Sequence, residues 1–309
     1  MQTLGVLIQK PKALMPGDTL GIAAPASPFN PDDFKKGIGN LEKMGFKVYF
    51  RPDIFDKKSY LAGSDQRRLD ELIELLENPD IRGILFARGG YGLMRLLPKL
   101  EKAKLNVFPK VVLGYSDITV LLVYLYQRFG WTTFYGPVVA LDLSHDNSPD
   151  TLKFFREAIT RTTVLPPFVF PEVESAGDKP ADGIVVGGCL SLIVSLLGTP
   201  FDLNTNDKIL FLEDVNEKPY AVDRMLTQML AAGKFKNVRG IVFGPFVNGG
   251  HPSHFQETAL DVLQDFQGPI LFHFPAGHGP VKVTLPLGIR ARIDQKKKSL
   301  EYLEAACIP

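Results

Sequence analysis

A serine stands where an apolar run gives way to a helical pattern. Val111-Val112-Leu113-Gly114-Tyr115 reads as a buried strand and Asp117 to Arg128 as a helix. Gly114-Tyr115-Ser116-Asp117-Ile118-Thr119 therefore places Ser116 at the turn between them. A serine there has its hydroxyl exposed above a sheet. The backbone N–H groups that follow, unpaired at a helix N-terminus, are a ready oxyanion hole. This is the logic of a nucleophile elbow, although the Gly-x-Ser-x-Gly form is absent. The same position suits Ser116 or Asp117 as a helix cap, and the pattern alone leaves both readings standing.

Three further constellations bear on chemistry. Ala87-Arg88-Gly89-Gly90-Tyr91-Gly92 also follows a strand-like run, Gly83 to Ala87. Its glycines let the backbone approach a ligand closely and expose its N–H groups, or they form a plain tight turn. A dinucleotide loop is incomplete because Arg95 stands where the third glycine belongs, and a P-loop lacks its Gly-Lys-Ser/Thr. Leu210 to Glu217 carries Glu213, Asp214 and Glu217 just past an apolar run. A carboxylate at a strand end can orient a histidine, and it can also be an ordinary acidic loop. Five histidines are available. His251 and His254 form His-x-x-His without a further metal-ligand pattern. His145 lies in a polar loop beside Asp142 and Asp146 and reads as solvated, and His273 in an apolar run reads as a core residue. His278, between Gly277 and Gly279, is the best placed of the five to serve as a base, with a turn histidine as the alternative.

Stepping outward, the elements that must position these residues alternate strand and helix through the first half. Strands are expected at Thr19–Ala24, Lys47–Phe50, Gly83–Ala87 and Val111–Tyr115, with helices at Phe34–Met44, Arg67–Leu76 and Asp117–Arg128. Such alternation predicts an α/β fold, with an open, doubly wound, mostly parallel sheet whose ligands sit beyond the carboxyl ends of its strands. From Arg161 to Pro180 the pattern lapses into proline, glycine and charge. We read residues 1–160 as an N-terminal α/β domain carrying the nucleophile and 161–180 as a linker. Residues 181–309 are then a smaller, β-rich mixed domain carrying Glu213 and His278. The uncharged stretch Gly183 to Phe201 is about as long as a bilayer span. Its glycines, proline and serines make a glycine-led turn feeding a buried helix the better expectation.

Composition narrows the partners. In 309 residues, 45% hydrophobic and 22% charged, 35 basic and 34 acidic side chains leave a net charge of +1. That balance gives no field to hold a phosphate backbone, so nucleic acid is not expected and a small or zwitterionic substrate is. Cys189 and Cys307 stand far apart, as in a reducing compartment. The N-terminus lacks a secretory signal pattern, which makes cytoplasmic the expectation, with no membrane partner.

Taken in order, these segments resemble the LD-carboxypeptidase family, which also contains the microcin C self-immunity peptidases. The resemblance runs over nearly the whole chain. It takes in Pro16-Gly17-Asp18-Thr19, Ala23-Ala24-Pro25-Ala26-Ser27-Pro28, the glycine loop, the Ser116 turn and Leu192 to Pro200. It continues through Leu212-Glu213-Asp214-Val215, Tyr220 to Leu226, Gly277-His278 and Leu285-Pro286-Leu287-Gly288. It implies a Ser–Glu–His triad of Ser116 as nucleophile, His278 as general base and Glu213 as the carboxylate orienting it. The oxyanion hole would be the N–H groups of Gly90 and Asp117. It implies no cofactor, no metal and a homodimer, with the site in a cleft between a doubly wound domain and a smaller β-rich one. One departure is Cys189, where the family usually carries Asn after the glycine pair.

The implied substrate is a muropeptide tetrapeptide, cleaved at the L,D bond to its terminal D-alanine during cell-wall recycling. Arg88 is the candidate to bind the free carboxylate, since a guanidinium pairs with it in bidentate fashion. Two alternatives stand beside this. One is an immunity-type peptidase acting on peptidyl- or aminoacyl-nucleotides, whose base would stack on a tryptophan near the glutamate; here the single tryptophan, Trp131, is far from Glu213 in sequence. The other is a non-catalytic small-molecule binder on the same fold.

Overall fold

The computed structural model describes residues 7–144 and 149–309, so the reading of His145 falls outside it. In chain order the first half runs β1 (Thr19–Ala23), α1 (Pro31–Lys43), β2 (Lys47–Tyr49), α2 (Asp65–Glu77), β3 (Ile81–Phe86), α3 (Leu97–Lys102), β4 (Val111–Gly114), α4 (Thr119–Phe129), β5 (Thr133–Tyr135) and α5 (Pro149–Thr160). The second runs β6 (Phe168–Val169), β7 (Glu174–Ala176), β8 (Ala181–Cys189), α6 (Leu190–Ser195), β9 (Lys208–Val215), α7 (Pro219–Ala231), β10 (Gly240–Val247), α8 (Pro252–Val262) and β11 (Ile270–Phe272). It closes with β12 (Leu285–Leu287), β13 (Arg290–Asp294) and β14 (Ser299–Tyr302).

The first sheet has the order β12-β5-β4-β3-β1-β2 and is parallel except for β12, which pairs antiparallel with β5. Its inner strands β3 and β4 are buried along nearly their whole length, as an apolar strand covered on both faces must be. The second sheet, β6-β14-β13-β8-β9-β10-β11-β7, has a parallel centre of β8 to β11 with antiparallel strands on each flank. The α/β expectation of a mostly parallel first sheet and a second, strand-rich unit is met. The second unit also keeps the strand-then-helix rhythm, with α7 leading into β10 and α8 into β11.

Helix α4 joins the two. Thr119 to Tyr126 are all buried, and the helix packs on β4, β5 and β8. A helix apolar on every face has no solvent side, so it lies between layers. Capping follows sequence logic elsewhere: Asn30 accepts from the Asp32 N–H ahead of α1, and Ser64 accepts from the Arg67 N–H ahead of α2.

Two elements differ from expectation. Residues 183–189 are not a turn but the end of strand β8, with α6 following at Leu190. The glycines that read as a turn serve close packing instead. An added Cβ at Gly187 would lie 1.9 Å from the Phe211 carbonyl oxygen of β9. The uncharged stretch from Gly183 to Phe201 is thus part strand and part short helix, and among the described residues no helix is long and apolar enough to cross a membrane. Strand β5, three residues long, is too short to show a period. Within 161–180, the short strands β6 and β7 form the two edges of the second sheet.

Candidate active site

Strand β4 ends at Gly114 and the chain turns at Ser116, which holds a left-handed φ of 63°. A non-glycine residue rarely sits there, and the conformation costs on the order of 1–3 kcal/mol unless its surroundings enforce it. A 3-10 turn, Ser116–Ile118, then feeds α4. Neither Ser116 nor Asp117 caps this helix: no side chain accepts from its first N–H groups. Ser116 is half-buried, and its hydroxyl lies against Gly89, where an added Cβ would come within 2.9 Å of Ser116 Cβ and 3.1 Å of Oγ. Any larger residue at 89 would press on the hydroxyl.

The Asp117 carboxylate accepts from the Leu93 N–H at 2.9 Å through Oδ2. Burial pushes this carboxyl up to about 6. The bond ties the glycine loop to the Ser116 turn. The loop is held from the other side by Ser27, whose N–H donates to the Gly89 carbonyl at 3.3 Å and whose Oγ accepts from the Tyr91 N–H at 3.3 Å. Among the described residues the N–H groups of Gly90 and Asp117 donate to no protein acceptor.

Glu213 lies on β9, fully buried, with four donor contacts. The His278 N–H donates to Oε2 at 3.0 Å, and His278 Nδ1 lies 2.8 Å from Oε2 and 3.1 Å from Oε1. The Tyr135 hydroxyl donates to Oε1 at 2.5 Å. A buried carboxylate needs such donors to hold its charge. Because a carboxylate can only accept, these contacts place a proton on His278 Nδ1, which in the neutral tautomer leaves the lone pair on Nε2. The ring stands edge-on to Tyr115, centroids 4.8 Å apart, and Tyr115 directly precedes Ser116. The Ser116 N–H donates to the Tyr135 hydroxyl at 3.3 Å. Tyr135 thus bridges the Ser116 turn and Glu213 from between the two sheets.

A second clasp holds the His278 loop. Lys282 Nζ is 3.1 Å from Asp142 Oδ1, donates to the Gly279 carbonyl at 2.8 Å and stands 5.5 Å from the centroid of the Tyr115 ring. Burial, with the Asp142 charge nearby, holds the Tyr115 phenol well above its ordinary range. One ammonium thereby joins the loop after His278 to the residue before Ser116.

Of the sequence-derived residues, Ser116, Gly90 and Asp117 come from the first half, Glu213 and His278 from the second, and the fold gathers them. Arg88 is exposed and donates to the Pro28 carbonyl at 3.0 Å. His251 is taken up as the N-cap of α8, its Nδ1 accepting from the Ser253 N–H. His273 is half-buried with φ 60°, not a core residue, because it sits at the exposed end of β11. Among the described residues no group of three or more His, Cys, Asp or Glu side chains could hold a metal ion. The Cys189 thiol is buried, donates to Asp214 Oδ1 at 3.4 Å and lies 3.4 Å from Ser191 Oγ. Tyr135, Asp142 and Lys282 escaped the sequence reading. Only the nearness of Lys282 to His278 hinted at one of them.

Residues 20–136 match the LD-carboxypeptidase N-terminal domain and residues 182–293 the LD-carboxypeptidase C-terminal domain. A probable murein peptide carboxypeptidase of Bacillus subtilis is 35% identical over 94% of this chain and 93% of its own. The muramoyltetrapeptide carboxypeptidase of Oxalobacter formigenes superposes with a TM-score of 0.82 at 30% identity, over 92% of this chain and 97% of that one. The microcin self-immunity protein MccF, solved with glutamyl sulfamoyl guanosine, superposes at 0.88 and 26% identity, over 96% and 99%.

Proposed function

The chain belongs to the LD-carboxypeptidase family, and from that premise we propose that it is a serine carboxypeptidase that removes the terminal D-alanine from muropeptide tetrapeptides. The observation that carries this reading is the pairing of His278 Nδ1 with buried Glu213 at 2.8 Å, beside a serine held at a left-handed strand-to-helix turn. In the proposed reaction His278 Nε2 takes the Ser116 proton as Oγ attacks the carbonyl of the L-centre. The tetrahedral oxyanion is received by the N–H groups of Gly90 and Asp117, which have no protein acceptor to give up. His278 then protonates the departing D-alanine amine, leaving an ester on Ser116. Water, deprotonated by the same nitrogen, releases the tripeptide. Glu213 keeps the imidazole in the right tautomer and stabilises its cationic form. Arg88, with donors beyond the one spent on Pro28, is the proposed ligand of the substrate carboxylate. We place the enzyme in the cytoplasm as a homodimer working in cell-wall recycling.

The test is mass spectrometry of a tetrapeptide mixture after incubation with wild type and with Ser116→Ala. Loss of one alanine residue by wild type alone is expected; equal turnover by both would overturn the serine mechanism. The MccF likeness makes an aminoacyl-nucleotide the second substrate to offer in the same assay. Against it stands Trp131, 1% exposed and packed on Phe129, which has no face for a base to stack on.

A further inference from the structure

A second concavity, whose lining includes neither Ser116 nor His278, lies between the ends of β10 and β11 and the start of α8. Its volume is about 460 Å³, within the range of small-molecule sites. Phenylalanines make its walls: Phe243 stacks on Phe272 at 5.4 Å, and Phe246 on Phe255 at 5.2 Å. Against these flat faces stands His273, in the left-handed region at φ 60°. Strain of this kind persists only where the surroundings enforce it, and it gathers at ligand clamps as it does at Ser116.

Two bonds place a proton on His273 Nε2. Gln256 Nε2 donates to Glu174 Oε2 at 2.9 Å, and an ionised carboxylate can only accept, so the amide orientation is set. Gln256 Oε1 therefore faces His273 Nε2 at 3.0 Å as an acceptor, and that nitrogen must carry the proton. In this tautomer the lone pair lies on Nδ1, which has no protein donor among the described residues. Glu172 and Asn248, both exposed, are also in the lining, and Gln256 is already engaged by Glu174 and His273. His273 is thus the half-buried lining side chain with an acceptor to spare, which suits a flat apolar body bearing one hydrogen-bond donor.

We propose that this cleft is a second binding site, for a small planar ring compound with a single N–H or O–H donor that His273 Nδ1 accepts. Gly279, Pro280 and Pro275, which flank His278 in sequence, form part of its lining. An occupant would therefore touch the loop that carries His278, at a site whose lining does not include Ser116.

Indole and benzofuran have the same shape and differ in presenting an N–H or a bare oxygen, so they are the probes. Calorimetric titration of the full-length protein should show indole binding at one equivalent, about tenfold more tightly than benzofuran, as expected for one hydrogen bond and one unsatisfied acceptor. His273→Gly keeps the left-handed backbone and removes the ring; it should abolish that preference. Gln256→Leu frees the tautomer and should reduce it, while circular dichroism confirms that both variants fold. No indole binding up to its solubility limit, equal binding of the two probes, or a preference that survives His273→Gly would each overturn the proposal. None of these outcomes depends on turnover, so they stand apart from the test of the carboxypeptidase reading.

Discussion

Replacing Tyr135 with phenylalanine deletes one oxygen from a fully buried position and leaves the ring packing, including its contact with Phe211 at 5.2 Å, in place. No cavity large enough to matter opens, so the change isolates two bonds. The first runs from the hydroxyl to Glu213 Oε1 at 2.5 Å, and the second from the Ser116 N–H to the hydroxyl at 3.3 Å. A hydrogen bond to a charged group contributes about 1.5–3 kcal/mol, and the longer, neutral one about 0.5–1 kcal/mol. Glu213 keeps both bonds from His278, so its orientation toward the imidazole is loosened rather than lost. We expect unfolding free energy to fall by about 2 kcal/mol and kcat by about 10- to 100-fold, with KM within about twofold, because the affected groups act on the transition state. Release of D-alanine, followed by a coupled D-amino-acid oxidase assay, gives the rates, and chemical denaturation gives the stability. If stability falls as expected while kcat stays within twofold of wild type, Tyr135 is a structural strut and the bridge has no part in the chemistry.

Ser116→Ala, His278→Ala and Glu213→Ala should each lower kcat by at least about 1,000-fold, Glu213 least, and the triple variant should be little worse than the worst single one, read in the same assay. Gly89→Ala places a methyl 3.1 Å from Ser116 Oγ and should lower kcat by about 10- to 100-fold without unfolding the protein, checked by rate and melting curve. The Asp117 carboxyl, pushed by burial from 3.8 up to about 6, lends stability that is fully present below the unfolded value and lost as pH rises through about 6. Asp117→Asn cannot ionise, so the stability of wild type relative to this variant should fall by on the order of 3 kcal/mol from pH 3.5 to pH 8, measured by denaturant titration. Lys282→Met leaves Asp142 buried without its cation and should cost about 3–5 kcal/mol of unfolding free energy, while Asp142→Asn in addition should restore much of it.

The parts of the fold that follow a period were legible. The apolar runs of β1, β3 and β4, and the helical spacing of α1, α2 and α4, each announced themselves within a dozen residues. The glycines of β8 misled, because a glycine demanded by close strand contact looks the same in sequence as one demanded by a turn. For the site, the serine turn, the glycine loop and the acidic strand end were visible as motifs, and so was the histidine between two glycines. The motifs could not show that the Asp117 side chain holds the glycine loop rather than the helix end. Nor could they reveal Tyr135 or the Lys282–Asp142 pair. Those residues act across more than 70 positions of sequence, and a contact of that span leaves no local pattern.

Strand β12 carries an implication for how the molecule comes to exist. The first sheet takes its last strand from residues 285–287, antiparallel to β5, and Ile308 returns to pair with Lys12 near the other end of the chain. A ribosome must therefore reach residue 285 before β5 gains its outer neighbour. Until then the β5 strand that carries Tyr135 is a sheet edge without its outer partner. Cutting the chain near residue 284 would therefore separate the first sheet from its last strand. Docking of β12 on β5 also seals a sheet edge otherwise exposed to aggregation.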